Sequence, residues 1–411
     1  EEVVAGLPAG LACTTLDLGR IALHRFEVEG DGPCLLVHAE VPDLAGTWGT
    51  AHRKKTRLVD AVDGGGAPLG WRGGRYVHVV HEPGRPPSVR AWRREYPLRW
   101  RDLPPPADPR DATILEACRN NLVACVDGGL VDTCWRERAQ WTGDLRMSAM
   151  AVRALATSDE VVGLALRQVA ASYDPAVGMV QAVWPASAPR DVWIPGYHPA
   201  FCLAAIEHGL DREPAAARVV RESLPLWRAR FVEGGLLRRG FPEGAWWFVD
   251  WDPATRGGPH DAAGAPGPDA VTNAFFHEAC SRIGLPSIDP AAFDDAYWTG
   301  RAYRLVPGGA ESPQATAAAV LAFPDSARAA AAVEWLLEEH RGGRIAERVT
   351  PYFAWFVARA IGTRSREAMS GFVREHYGPV AARLGTIPER TNEDASLAHG
   401  WSVGVAAILA P

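Results

Sequence analysis

Apolar and polar positions change their rhythm near residue 105. Before it, runs alternate over short distances. Residues 21–29 end in alternation, 30–33 read as a turn, and 34–41 and 75–80 are further strand candidates bounded by glycine clusters. Short strands without helices between them predict a small β-sandwich over 1–105. Residues 104–106 are three consecutive prolines, a stiff connection. After them the apolar positions recur at helical spacing. The predicted helices are 111–126, 143–157, 160–172, 198–210, 213–230, 269–284, 290–301, 313–323, 325–340, 351–362, 365–383 and 396–409. They form a second domain, 106–411. Twelve helices fit six hairpins closed into an (α/α)6 barrel, and they fit a helical solenoid equally.

One stretch has neither rhythm. From Asp132 to Asp144 the chain holds two aspartates, one glutamate, two arginines and two tryptophans. Thr142 followed by Asp144 looks like a helix start, with a capping hydroxyl and an acid in the first turn. Glu137 therefore lies on a loop feeding a helix, a common place for chemistry. A solvated surface loop is the plain alternative, and the tryptophans argue against it. Acids beside tryptophans suit a sugar, whose hydroxyls carboxylates hold and whose apolar faces stack on rings.

Composition narrows the field. The 47% hydrophobic content supplies an ample core, and a net charge of −6 offers no footprint for nucleic acid. No apolar run is long enough to span a bilayer. The beginning of the chain has no positive or apolar leader pattern, so none is expected. Seven scattered cysteines without a CxxC pair predict no metal site and reduced thiols, hence a cytoplasmic protein. No cofactor motif occurs. Sixteen tryptophans against four methionines fit a carbohydrate ligand or a large helical core equally well.

The stretch resembles the signature of glycoside hydrolase family 78, the inverting α-L-rhamnosidases: Asp-Cys-Pro-x-Arg-Glu-Arg-x-Gly-Trp-x-Gly-Asp. Asp132, Arg136, Glu137, Arg138, Trp141, Gly143 and Asp144 match in register; Thr133, Cys134 and Gln140 depart from it. The strand Gly74, Arg75, Tyr76, Val77 is similar to one that ends the family's β-sandwich. The resemblance implies the (α/α)6 barrel, with residues 132–142 preceding an inner helix. It also implies a general acid at Glu137, sugar contacts from Asp132, Arg136, Trp141 and Asp144, and a pocket segment containing Trp247, Asp250 and Trp251, with Trp193 as a further ring. Near the other end, Thr386, Glu389, Ser396 and His399 match a second family segment, where Pro388 departs. There Glu389 inherits the general base and His399 a polar contact, with Glu393 and Asp394 as rivals. A surface acid run before a helix is the competing explanation of those acids.

Inverting hydrolysis needs one carboxyl to protonate the leaving oxygen and another to activate water across the sugar. Arg136 and Arg138 are expected to point elsewhere or to hold substrate. The implied activity is removal of a terminal α-L-rhamnosyl group from a small glycoside, and a chain this short suits the tailoring of a secondary metabolite. The other readings are a sugar-binding barrel without turnover, and a barrel repurposed for acid–base chemistry on another natural product.

Overall fold

The computed structural model describes residues 10–42, 57–186, 192–238, 241–252, 269–393 and 395–410. It is mainly helical, with an antiparallel sheet of five strands at the N-terminal side. The strands are β1 (Ala12–Glu29), β2 (Cys34–Ala39), β3 (Arg57–Val62), β4 (Arg72–His81) and β5 (Ser88–Arg94), in the order β3-β2-β4-β1-β5.

Strand β1 is a single strand of 18 residues whose register with β4 shifts between Asp17 and Ala22, and from Leu23 it also pairs with β5. Such an irregularity bends a strand and raises its twist. Phe26, Val28, Leu36, Val77 and Val79 form one small core within the described part of the sheet.

The expected segments from 111–126 to 365–383 each coincide with an α-helix. These are α1 (Pro109–Cys125), α2 (Thr142–Leu155), α3 (Glu160–Ala170), α4 (Tyr197–His208), α5 (Pro214–Phe231), α6 (Ala270–Arg282), α7 (Pro290–Tyr297), α8 (Pro313–Ala322) and α9 (Ala329–Arg341), then the short α10 (Arg344–Arg348), α11 (Pro351–Gly362) and α12 (Arg366–Leu384). The last expected helix, 396–409, differs. It begins only at Gly400, as a 3-10 turn (Gly400–Val405), followed by α13 (Ala406–Leu409). Residues 396–399 stay outside the helix instead: Glu389 N–H donates to Ser396 O at 2.9 Å and His399 N–H to Ile387 O at 3.2 Å.

Burial divides the helices into two sets. In α2, α4, α8 and α11 nearly every side chain is buried, as is the whole 3-10 turn. By contrast α3, α5, α9 and α12 bury one face. A helix apolar all round belongs in an interior and an amphipathic one at its edge. The buried set packs in succession, α2 on α4, α4 on α6, α6 on α8, α8 on α11, α11 on the 3-10 turn, and that turn on α2. Small residues allow the close approaches. A Cβ on Gly143 would lie 2.5 Å from the Tyr197 ring, and one on Gly400 would lie 2.6 Å from Val131 O.

The sheet leans on the helical part through Ile21, Cys125, Cys134, Leu397 and Ala398. Glu40 reinforces that seam by accepting the Leu397 N–H at 2.7 Å. All seven cysteines are free and six are buried. No helix among the described residues is long and apolar enough to cross a membrane.

Trp227 is the largest fully buried side chain. It packs on His198, Phe231, Phe241 and Phe276, with centroids 5.0–5.8 Å away, and donates to Gly178 O at 2.7 Å. Trp227→Ala is expected to destabilise the protein by about 3–5 kcal/mol, the usual range for removing a large buried aromatic. Urea unfolding followed by circular dichroism measures it.

Candidate active site

The loop ahead of α2 is folded by its own side chains. Asp132 N–H donates to Ala139 O at 2.9 Å, and Ala139 N–H returns a bond to Asp132 Oδ1 at 2.8 Å. Thr133 Oγ1 accepts the backbone N–H groups of Glu137 (3.3 Å) and Arg138 (3.4 Å). Gln140 Oε1 accepts Leu130 N–H at 2.8 Å, and its amide donates to Trp184 O at 2.8 Å. Two residues that depart from the family signature, Thr133 and Gln140, thus shape the loop. Arg138 turns the chain with φ +47°. Thr142 does not cap α2: it is the first helical residue, the cap position belongs to Trp141, and the Thr142 hydroxyl donates to Gln181 O at 2.7 Å.

The loop faces a small cavity of about 80 Å³. Arg136, Glu137, Asp144, Glu389 and His399 supply its polar wall; Trp141, Tyr197, Trp246, Phe248, Trp251 and Trp401 supply the rest. The rings brace one another. Trp141 meets Tyr197 and Trp246 edge-on at 6.3 and 6.4 Å, and Phe248 lies parallel to Trp401 at 6.4 Å.

Two carboxylates converge at the polar wall, although 252 residues separate them. Arg136 joins them: one guanidinium nitrogen donates to Glu137, and the other reaches Glu389 Oε2 at 2.6 Å. Its Nε donates to Ser396 Oγ at 3.0 Å. Of the two alternatives expected for Arg136, it takes the one that keeps it at the cavity: its planar fork fits between two acids and the cavity offers both. Arg138 does point away, to Asp127. The other oxygen of Glu137 accepts the Trp141 indole N–H at 2.7 Å. The Glu137 side chain stays 34% exposed, whereas Glu389 is buried. Glu389 is pinned through its backbone, whose carbonyl accepts the Trp401 indole N–H at 3.2 Å.

Behind this pair the charge balance is unusual. Burial, and then the charges of Asp132, Glu137 and Glu389, push the Asp144 carboxyl well above the usual carboxylate range. Its Oδ1 is buried with no hydrogen-bond partner among the described residues and stands 4.0 Å from His399 Nδ1. Burial, aided by Arg136, holds the His399 imidazole well below its ordinary value, so it is neutral. The Asp132 carboxyl is also pushed well up, by burial and then by Glu137.

Of the residues singled out in the sequence, Arg136, Glu137, Trp141, Asp144, Trp251, Glu389 and His399 line this cavity. Four do not. Asp132 is fully buried behind the loop, where it bonds the Ala139 N–H. Trp193 is a core residue whose carbonyl accepts the Trp246 N–H at 2.8 Å. Trp247 turns the other way and packs on Phe241 at 5.1 Å. Asp250 is fully buried and bonds the Thr350 hydroxyl (2.7 Å), the Gln314 amide (3.2 Å) and the Trp251 N–H (2.8 Å). Its carboxyl is raised to about 6 by burial, against those bonds. Of the rivals to Glu389, Glu393 pairs with Arg383 and Asp394 lies outside the described residues. The lining rings Tyr197, Trp246, Phe248 and Trp401 were not anticipated. Among the described residues no cluster of histidine, cysteine or acid side chains could hold a metal ion.

No family model matches the chain and no curated protein is similar to it. Solved structures are. A family 78 rhamnosidase from a Bacillus species superposes with a TM-score of 0.72 at 20% identity, over 98% of this chain and 46% of that one. A rhamnosidase from Klebsiella oxytoca with rhamnose bound gives 0.72 at 18%, over 97% and 86%. The Streptomyces avermitilis α-L-rhamnosidase complexed with L-rhamnose gives 0.70 at 19%, over 97% and 42%. The chain thus spans about half the length of the Bacillus enzyme and most of the Klebsiella one. It has a family 78 rhamnosidase-like fold.

A carboxyl in the unfolded chain ionises near pH 4, and that of folded Asp144 well above. Between those values unfolding releases a proton, so this group lowers stability as pH rises. Asp144→Asn carries no such proton. Its stability relative to the parent is expected to grow from about pH 5 to about pH 8, read from urea midpoints at both.

Proposed function

We propose that the chain is an inverting glycoside hydrolase that removes a terminal α-L-rhamnosyl group, or a close analogue, from a small glycoside. The observation that carries this is the convergence of Glu137 and Glu389 on one cavity through the same guanidinium. The likeness to rhamnosidase structures supports the choice of sugar. The succession of buried helices, running from α2 through the 3-10 turn back to α2, supports a closed (α/α)6 barrel whose loops build the cavity.

In this mechanism Glu137 protonates the leaving oxygen. Glu389 takes a proton from the water that attacks the anomeric carbon from the opposite side, and configuration inverts. That geometry needs carboxyls about 6.5–9.5 Å apart, so that water fits. Trp141 orients Glu137 through its indole N–H. Asp144, its carboxyl pushed toward the neutral form and one oxygen without a partner among the described residues, and His399, its imidazole held well below its ordinary value, offer contacts to ring hydroxyls. Trp251 and Trp401 supply faces for the apolar side of the pyranose. In the ligand-free chain Arg136 ties acid to base. The substrate must take a share of that guanidinium before Glu137 can turn to the leaving oxygen. Tailoring of a secondary metabolite inside the cell is the setting that this small-substrate reading suits.

The same tie favours a second reading, a sugar-binding barrel without turnover, in which Arg136 locks both carboxylates. Incubation with a rhamnoside decides between them, since only the hydrolase releases free sugar. Glu137→Gln is expected to fold normally and to lose at least about 10²-fold in rate on a glycoside with a poor leaving group, the scale of general acid catalysis. Proton NMR of the first-formed sugar is expected to show the inverted anomer. Wild-type turnover in the variant removes Glu137 from the mechanism.

A further inference from the structure

The loop at 132–144 carries two tryptophans, and Trp141 is the one that lines the cavity. Trp135 turns to the sheet. A Cβ on Gly73 of β4 would collide with the Trp135 Cβ and lie 3.0 Å from Cys134 Sγ, so strand and loop meet with no room for another atom. Beside Gly73, the Arg72 guanidinium stands 5.7 Å from the centroid of the Trp135 ring, within cation–π reach. That guanidinium is itself held. Asp60 of β3 accepts two of its nitrogens, at 2.7 and 2.8 Å, and Asp60 Oδ2 lies 2.9 Å from Nε2 of the buried His38 on β2. Three strands thus bear on one ring.

The sheet holds the loop again on the far side of Glu137. Arg138 pairs with one oxygen of Asp127, and Arg94 of β5 reaches the other at 2.6 Å. Residues 135 and 138 are therefore both tied to strands. Between them lie Arg136 and Glu137, which carry the link to Glu389. Within the loop, the Glu137 N–H reaches the Thr133 hydroxyl at 3.3 Å, a long bond. The loop's own bonding leaves this segment loosely held, and the sheet supplies what it lacks.

We propose that Arg72 and Arg94 are positioning residues: from the sheet they set where Glu137 stands, and so how well it protonates a leaving oxygen. The inference rests on the glycosidase reading and deepens it. Neither arginine lines the cavity. They act on the acid through Trp135 and Arg138, and not on the sugar.

The leaving group separates misplacement of the acid from general damage. A dinitrophenolate departs without a proton, whereas an alkoxide needs one from the general acid. Arg72→Ala is expected to lower kcat on an alkyl α-L-rhamnoside about tenfold or more, toward the roughly 10²-fold that a 1 Å misplacement can cost. On dinitrophenyl α-L-rhamnoside the same variant is expected to change kcat less than about twofold, because that bond breaks without the acid. Inhibition by free L-rhamnose is expected to keep its parental constant. Arg94→Ala, at an exposed position, is expected to repeat the split through Arg138. It carries the test alone if thermal melting shows that Arg72→Ala does not fold. Equal losses on the two glycosides, or a parental rate on the alkyl rhamnoside in a folded variant, overturn the positioning role and leave the glycosidase standing. Hydrolysis of neither glycoside by the parent overturns the glycosidase, and the positioning role with it.

Discussion

One guanidinium organises the site. Arg136 reaches Glu137 beside it in sequence and Glu389 far along the chain, and Ser396 holds its third nitrogen. Charge-assisted bonds of this kind are strong where water is scarce, and a planar fork imposes their direction. Burial works against the arginine's charge, yet Glu389 and Glu137 hold it firmly cationic. Remove it and the two acids lose the cation that joins them. The aromatic cup can be tight because this polar corner is internally balanced.

The balance is local. Just behind it Asp144 and Asp132 lack a cation, and both carboxyls are pushed toward the neutral form. Of four acids near one pocket, two share the Arg136 guanidinium and two are pushed toward the neutral form by burial. A neutral carboxyl can donate as well as accept a hydrogen bond. For a ligand made of hydroxyl groups, that is a richer surface than four like charges would be.

Much of this was legible in the sequence, and the failures have physical causes. The helices stood out because their apolar spacing is regular over ten residues or more. The loop at 132–144 stood out because its composition fits no regular element. The final helix was misplaced because Ala395-Ser396 looks like a helix start, while the backbone of Ser396 and His399 is spent on Glu389 and Ile387. The length of β1 was not legible, because a strand that bends midway looks, in one dimension, like a strand and a loop. Trp247 was chosen over Trp246 because the family-like pattern begins at Trp247, yet only Trp246 lines the cavity. Which neighbour faces the cavity depends on the helices around it. Tyr197 left one trace, the glycine at 143 that makes room for its ring. That trace has meaning only once the two helices are known to touch.

The seam where the 3-10 turn meets α2 has a further consequence. Gly400 N–H bonds Asp132 O at 2.6 Å, Ser148 Oγ bonds Gly400 O at 2.9 Å, and the Asn121 amide bonds both Ile387 O and His399 O. These bonds join distant parts of the chain, and the segments they fasten are the ones that carry the two opposed carboxylates. Loops of such length close slowly, after the local helices have formed. The pocket is therefore among the last features to appear during folding, and any fluctuation that parts this seam dismantles it before the outer helices have reason to move.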